Sequence, residues 1–184
     1  IFNILNSIQY YIIDNDVDNA LECLSRFATL IRKMLDLSSK SSISLIEEIK
    51  FLELYVQVEN FRYKNKINFS VYTDLEMHLH EVMFPPMLLQ PLLENSIVHG
   101  FDTTKENNTI SVHFEKEENY LHIIIDDNGR GLVASEKSNK LHESKGLKII
   151  RDRLKLFNQE NANFVEIHEK NPGTRAIVKI KLLN

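Results

Sequence analysis

Residues Pro85–Gly100 read Pro-Pro-Met-Leu-Leu-Gln-Pro-Leu-Leu-Glu-Asn-Ser-Ile-Val-His-Gly and combine an apolar face with two polar side chains. The two prolines at the start predict the beginning of a helix, because the first N–H groups of a helix have no intrahelical partner. Asn95 and His99 are four residues apart, so they share a face other than the apolar one. The pattern predicts either a core helix with two satisfied polar residues or a site that faces a polar ligand. The predicted apolar face consists of residues at helical spacing: Leu88, Leu89, Leu92, Leu93 and Ile97.

A second informative stretch is a predicted strand, Leu121–Asp126, followed by Asp-Asn-Gly-Arg-Gly at positions 127–131. The two glycines permit backbone angles that residues with a Cβ avoid, and they let a ligand approach the backbone closely. A carboxylate at the end of a buried strand can accept a hydrogen bond from an exocyclic amine. Taken alone, the pattern is equally typical of a tight turn. Two further glycine motifs follow it, Gly146-Leu147 and Gly173-Thr174.

In this order, these motifs closely resemble those of sensor histidine kinases of the LytS/YehU type. The resemblance rests on Pro85–Gly100, on Asp-Asn-Gly-Arg-Gly, on Lys-Gly-Leu-Lys-Ile-Ile-Arg-Asp-Arg-Leu at 145–154 and on Pro-Gly-Thr-Arg at 172–175. The opening segment, Phe2–Ile8, resembles the residues just after the phosphorylated histidine of that family. The resemblance covers nearly the whole chain. It implies a helical dimerisation region followed by an ATP-binding domain of the GHKL type, which has the Bergerat fold.

The composition sets limits on the class of protein. The chain has 184 residues, 43% of them hydrophobic, enough for one full core and a smaller helical part. A net charge of −4 gives no basic patch for nucleic acid. The single cysteine, Cys23, excludes an internal disulfide and fits a packing role in a reducing compartment. No apolar run approaches the roughly 18 residues of a membrane span, and no signal peptide is visible.

The periodicity predicts an α+β fold. Two amphipathic helices joined at Asp14–Asp16 predict a helical hairpin, whose apolar stripe is covered by a second copy in a four-helix bundle or by packing within one chain. A capping box at Ser44 and Glu47 begins a third helix. The following alternating segments predict a mixed, mostly antiparallel sheet covered by helices on one face. We expect residues 1–62 to be the helical dimerisation region with its linking helix, truncated at its start, and residues 63–184 to be the ATP-binding domain.

The family resemblance assigns roles to individual residues, with ATP and Mg²⁺ as the implied cofactors. Asp127 accepts from the adenine amino group, and Gly129 and Gly131 shape the turn beside the base. Asn95 is the implied Mg²⁺ ligand through its amide oxygen, since magnesium prefers hard oxygens. The segment Leu132–Lys145 resembles a lid over the nucleotide. The other implied nucleotide-facing residues are His99, Lys145, Gly146, Leu147 and Thr174, with Lys105 as a further phosphate partner.

The sequence departs from the family pattern at two positions. The phosphate helix begins Ser-Lys-Gly-Leu where the family often has Gly-x-Gly-Leu, and Val98 stands where a lysine is common. A domain that binds nucleotide without catalysis therefore stays an alternative. A GHKL ATPase is another, but hydrolytic relatives have a glutamate base where this chain has Pro91. Serine kinases of the anti-sigma type lack the helical hairpin. Glu94, beside Asn95, is the candidate base or orienting group for a histidine.

The implied function is that of a two-component protein-histidine kinase. The γ-phosphoryl group of ATP would pass to a histidine just upstream of Ile1 and then to an aspartate of a response-regulator receiver domain. None of the seven histidines lies in the first two helices, so we expect no phosphorylation of this chain at the family position. The implied partners are a second copy of the chain and the receiver domain. The implied location is the cytoplasmic side of a bacterial inner or plasma membrane, with membrane contact only through segments that precede Ile1.

Overall fold

The structure is a computed structural model that describes residues 2–64, 66–74, 78–131, 145–158 and 164–182. None of the helices in these ranges is both long enough and apolar enough to cross a bilayer. The described helices are α1 (Phe2–Ile13), α2 (Val17–Ser38), α3 (Leu45–Asn60), α4 (Gln90–Glu94) and α5 (Lys145–Asn158). The described strands are β1 (Ile43–Ser44), β2 (Ile67–Thr73), β3 (Met83–Phe84), β4 (Asn108–Glu117), β5 (Tyr120–Asp127), β6 (Phe164–Glu169) and β7 (Thr174–Lys181).

The first two helices form the predicted hairpin. Asp16 caps α2 by accepting a hydrogen bond from the N–H of Asn19 at 3.3 Å, which fixes the turn between the helices. The inner face buries residues such as Ile4, Cys23 and Leu30. A second apolar face stays exposed along both helices, and it contains Leu5, Ile12, Val17, Leu21, Leu24 and Leu35.

Helix α3 joins the hairpin to the sheet. The predicted capping box is present, because the Glu47 carboxylate accepts from both the N–H and the hydroxyl of Ser44. The helix contacts α2 on one side and β2, β3 and α4 on the other. A short antiparallel pair that the periodicity did not predict, β1 with β3, lies at its start and pairs Ile43 with Phe84.

The second half contains a five-stranded sheet in the order β2-β4-β5-β7-β6. Strand β2 runs parallel to β4 and the other neighbours are antiparallel, which confirms the predicted mixed sheet. The β4–β5 pairing places Ile110 opposite Asp127, so the hairpin delivers Asp127 to the end of a central strand. One face of the sheet is buried along the three central strands, through residues such as Val112, Ile123 and Val178, and is partly buried on the edge strands.

The stretch Pro85–Gly100 differs from its prediction in one respect. The five apolar residues predicted to be buried are all in the core. However, the helix does not begin at the prolines: Met87 has a left-handed φ of 53°, and α4 begins only at Gln90. After Glu94 the chain widens into a π-helical turn, Asn95–Gly100, a rare geometry that is frequent at functional sites.

Candidate functional site

Asp127 lies at the centre of the candidate site. Its side chain is only 4% exposed, and four protein donors hold its carboxylate. Oδ1 accepts from the N–H groups of Gly129 and Thr174 at 2.9 and 3.2 Å. Oδ2 accepts from the hydroxyls of Ser96 and Thr174 at 2.7 and 2.6 Å. Strand β5, the π-helical turn and strand β7 therefore meet at one carboxylate, and charge-assisted hydrogen bonds of this kind are among the strong ones.

The hydroxyl of Ser96 can free one acceptor site on this carboxylate for a ligand. A carboxylate has about four acceptor sites, so an incoming amine must replace one of the present donors. The hydroxyl of Ser96 also lies 3.3 Å from the carbonyl oxygen of Leu92. It can therefore rotate to that carbonyl and release Oδ2 without losing a partner. Ser96 is not among the site residues predicted from the sequence. The signal that points to it is a polar residue within a buried helix, which requires a hydrogen-bond partner.

The glycines around Asp127 are required by close backbone packing. A Cβ on Gly173, whose φ is +99°, would lie 1.9 Å from the carbonyl oxygen of Asp127. A Cβ on Gly129 would lie 2.7 Å from the carbonyl oxygen of Gly100. Real Cβ atoms do not approach so closely. The turn after β5 and the residue before β7 therefore pack together only because Gly129 and Gly173 have no side chain. Gly131 also has a positive φ, of +76°.

A second group of predicted residues lies where α5 begins. A Cβ built on Gly146 would lie 3.5 Å from both the Nδ2 atom of Asn95 and the Cβ of Pro91. Gly146, in the first turn of α5, therefore lies close to the amide of Asn95, and the free N–H groups of a first helical turn can receive phosphate. Leu147 is half-buried and packs against the core. The structure thus brings together the predicted metal ligand and the predicted phosphate helix.

The remaining predicted residues lie further out. His99 and Glu94 are exposed, and the carbonyl of His99, not its ring, accepts a hydrogen bond from Nε of Arg130. Lys105 lines a cleft of about 640 Å³ together with Arg130, whose N–H also binds the Gly100 carbonyl. The other residues lining this cleft are Gly129, Gly131, Glu169, Lys170, Asn171, Pro172 and Gly173. The Lys145 side chain and the predicted lid, residues 132–144, lie outside the described residues.

The neighbour of Asp127 faces the opposite side of the sheet. The carboxylate of Asp126 accepts from Nε and Nη2 of Arg175 at 2.8 and 2.7 Å. These hydrogen bonds hold the pKa of Asp126 below its ordinary value, against the effect of partial burial. Asp126 therefore forms a structural ion pair with Arg175, and a substitution of Asp126 is a matched control for the same substitution of Asp127. Within the described ranges, no group of three acidic, histidine or cysteine side chains is placed to hold a metal.

Solved structures show which class of fold this arrangement belongs to. The histidine kinase domain of the blue-light-activated kinase EL346 from Erythrobacter litoralis has a TM-score of 0.57 at 18% identity, covering 87% of this chain and 75% of that domain. The histidine kinase ThkA, solved in complex with the response regulator TrrA, has a TM-score of 0.52 at 22% identity, covering 94% of this chain and 50% of that protein. The fold is that of histidine kinase catalytic domains.

Sequence relatives define the family. The family model described as "Histidine kinase" matches residues 1–67. The sensor protein LytS of Staphylococcus saprophyticus is 32% identical over 193 residues, covering 100% of this chain and 32% of the relative. The protein YwpD of Bacillus subtilis is 30% identical over 163 residues, covering 85% of this chain and 57% of the relative. The chain belongs to the sensor histidine kinase family of the LytS type. It spans less than two thirds of the length of these relatives.

Proposed function

We propose that this chain is the ATP-binding catalytic part of a two-component sensor histidine kinase. In this proposal it transfers the γ-phosphoryl group of ATP to a histidine that precedes Ile1, and the phosphoryl group then passes to an aspartate of a receiver domain. The observation that carries the proposal is the convergence at Asp127, a buried carboxylate beside glycine turns. Asn95 and Gly146 lie close to each other, and in this proposal they supply the place for metal and phosphate.

The two ends of the site have separate roles in binding. Asp127 accepts from the adenine amino group, while Gly129 and Gly173 keep the backbone close enough for the base to lie against it. The N–H groups at the start of α5 receive phosphate oxygens, with Lys145 and Lys105 as further cationic partners. His99 lies toward the nucleotide on the exposed side, and Thr174 orients the Asp127 carboxylate.

Asn95 fits the requirements of a Mg²⁺ site. Its amide supplies one hard oxygen on a side chain whose Nδ2 atom lies near Gly146, and magnesium in phosphate sites takes most of its other ligands from water and phosphates. When bound, the ion neutralises triphosphate charge. The exposed carboxylate of Glu94 lies beside Asn95 in the chain and is available to orient or deprotonate an incoming histidine. Pro91 cannot activate water, which disfavours an ATPase.

The hairpin supports a homodimer. The exposed apolar face on α1 and α2 is the surface that a second copy would cover in a four-helix bundle. We propose residues 1–62 as the dimerisation and linking region and residues 63–184 as the ATP-binding domain. A receiver domain is the proposed second partner. In the longer protein, segments that precede Ile1 would supply the membrane anchor.

Calorimetric titration with a non-hydrolysable ATP analogue and Mg²⁺ tests the nucleotide site. The unsubstituted chain should bind, and Asp127→Asn should weaken binding by about 100-fold, because the amide places a donor opposite the adenine amine. The control, Asp126→Asn, should leave the affinity within about threefold. Absence of binding by the unsubstituted chain, or equal loss in both variants, would contradict the proposal.

Phosphoryl transfer requires a longer chain that includes the residues before Ile1. With γ-labelled ATP it should acquire phosphate that is labile in acid and stable in base, as phosphohistidine is. Adding a receiver domain should move the label to that domain. Binding without any labelling would favour the alternative of a nucleotide-binding domain that is not catalytic.

A further inference from the structure

Glu48 is a fully buried acidic side chain that the proposed function does not use. It lies on α3 with 0% exposure. Its Oε2 accepts from the N–H of Met87 at 2.8 Å, and its Oε1 accepts from the N–H of Leu89 at 3.2 Å. Burying a carboxylate is costly unless it is paired, so these contacts must be specific. They hold the turn that immediately precedes α4.

The same turn is held from the opposite side by Arg153 of α5. Its Nη1 donates to the carbonyl oxygens of Pro86 and Met87 at 2.9 and 2.6 Å. Met87 itself has the left-handed φ of 53°, which costs free energy for a residue with a side chain. Such a conformation persists only where the surroundings determine it, and here Glu48 holds the N–H groups while Arg153 holds the carbonyls.

The far end of the α4 segment is held by Tyr63. This residue ends the short 3₁₀ turn Phe61–Tyr63 that continues α3, and it is 1% exposed. Its hydroxyl donates to the carbonyl oxygen of Ile97, inside the π-helical turn. The helical segment formed by α3 and the 3₁₀ turn therefore forms hydrogen bonds with both ends of segment 87–97, which contains Asn95.

We propose that Glu48 and Tyr63 are positioning residues that set where Asn95 lies relative to the start of α5. This inference rests on the proposed function, in which Asn95 holds Mg²⁺ at the phosphates. The site needs such support because a displacement of about 1 Å in a phosphate and metal site is enough to cost roughly 100-fold in rate. Residues behind a metal ligand typically contribute about 10- to 100-fold to metal affinity.

The test separates metal-dependent from metal-independent binding. Glu48→Gln keeps the size of the side chain, and Tyr63→Phe removes only the hydroxyl. Each variant of the full 184-residue chain is titrated with a non-hydrolysable ATP analogue, once with Mg²⁺ and once with a chelator. We expect the gain in affinity from Mg²⁺ to fall about tenfold in both variants, while the affinity without Mg²⁺ stays within about threefold.

Two control variants match these substitutions. Glu53→Gln changes an exposed glutamate on the same helix, and Tyr10→Phe changes an exposed tyrosine of the hairpin. Neither should alter the gain from Mg²⁺. Circular dichroism and melting temperature report folding, and if Glu48→Gln fails to fold, Tyr63→Phe still provides the test.

The outcomes are distinguishable. Variants that melt earlier but keep the full gain from Mg²⁺ would show that Glu48 and Tyr63 are only structural and would overturn the inference. Equal losses with and without Mg²⁺ would also overturn it. Failure of the unsubstituted chain to bind the analogue would contradict the proposed function itself, whereas Mg²⁺-dependent binding that both variants retain contradicts the inference alone.

Discussion

The sheet half and the helical hairpin differ in how far contacts within one chain pair the polar side chains and cover the apolar ones. In the sheet half, the buried carboxylate of Asp127 is held by four donor groups from within the chain. In the hairpin, large apolar side chains such as Leu21 and Leu35, 60% and 67% exposed, face away from the core. The difference is what we expect if the proposed nucleotide site is complete within one copy of the chain and the proposed dimer covers the exposed face of the hairpin.

The largest expected effect comes from the turn beside Asp127. Gly173→Ala would place a Cβ 1.9 Å from the Asp127 carbonyl oxygen at a residue with positive φ. We expect a loss of about 4 kcal/mol or more in the free energy of unfolding, measured by urea denaturation. The control is Gly100→Ala, whose Cβ would meet no atom closer than 3.8 Å and should cost much less. Similar losses for the two variants would mean that the turn is not tightly packed.

The hairpin face is tested by adding charge to it. The double substitution Leu21→Asp with Leu24→Asp should weaken self-association by at least about 100-fold, because a bundle would bury two unpaired carboxylates. Sedimentation velocity across a concentration series measures this change. The same charge placed at Leu156, an exposed apolar residue of α5, should leave association unchanged. An unsubstituted chain that stays monomeric at high concentration would contradict the homodimer.

Glu48, at the junction of the two regions, predicts a pH dependence. Burial raises the pKa of Glu48 to about 7, although the N–H groups of Leu89 and Met87 and the charge of Arg153 act against this rise. Because the folded state holds this proton more tightly than the unfolded state, its contribution to stability is full below about pH 4.5. The contribution is lost as the pH rises through about 7, and it amounts to about 3 kcal/mol.

The measurement is the free energy of unfolding from pH 4.5 to 8 for the unsubstituted chain and for Glu48→Gln. The difference between the two should change with pH in this window, since the glutamine cannot titrate. A constant difference would show that Glu48 has the same pKa in the folded and unfolded states.

The smallest effect is expected from Ser96→Ala. This change removes one donor from Oδ2 of Asp127, but the adenine amine would occupy the same acceptor site. Affinity for the ATP analogue should therefore stay within about threefold or rise, and stability should fall by about 1 kcal/mol. A large loss of affinity in the titration would mean that Ser96 holds the carboxylate in place and does not exchange with the ligand.

Short-range patterns predicted much of the fold. The capping box at Ser44 and Glu47 and the five buried apolar residues of Pro85–Gly100 follow from spacing alone. The start of α4 could not be predicted in the same way. The left-handed Met87 depends on Glu48, 39 residues earlier, and on Arg153, 66 residues later, and local propensity contains neither contact.

In the candidate site, too, some residues could be predicted from local motifs and others depend on contacts with distant parts of the chain. Asp127 and its glycines are recognisable from their motif, and Asn95 and Gly146, which the family resemblance also singles out, lie close together. The partners Ser96 and Thr174 come from 31 residues before and 47 residues after Asp127. Thr174 was predicted from its motif, whereas Ser96 and Tyr63 were not, because a lone hydroxyl in a helix carries no signal about its partner.

In the proposed site Asp127 accepts from the amino group of adenine, and the selectivity between bases is the sharpest test of this role. Competition between non-hydrolysable ATP and GTP analogues should show a preference for adenine of about 100-fold, because guanine places a carbonyl oxygen opposite the carboxylate. Asp127→Asn should remove most of this preference, since its amide can donate to that oxygen, while Asp126→Asn should keep it. Equal affinity for both analogues in the unsubstituted chain, or a preference that survives Asp127→Asn, would contradict the role of Asp127 in binding adenine.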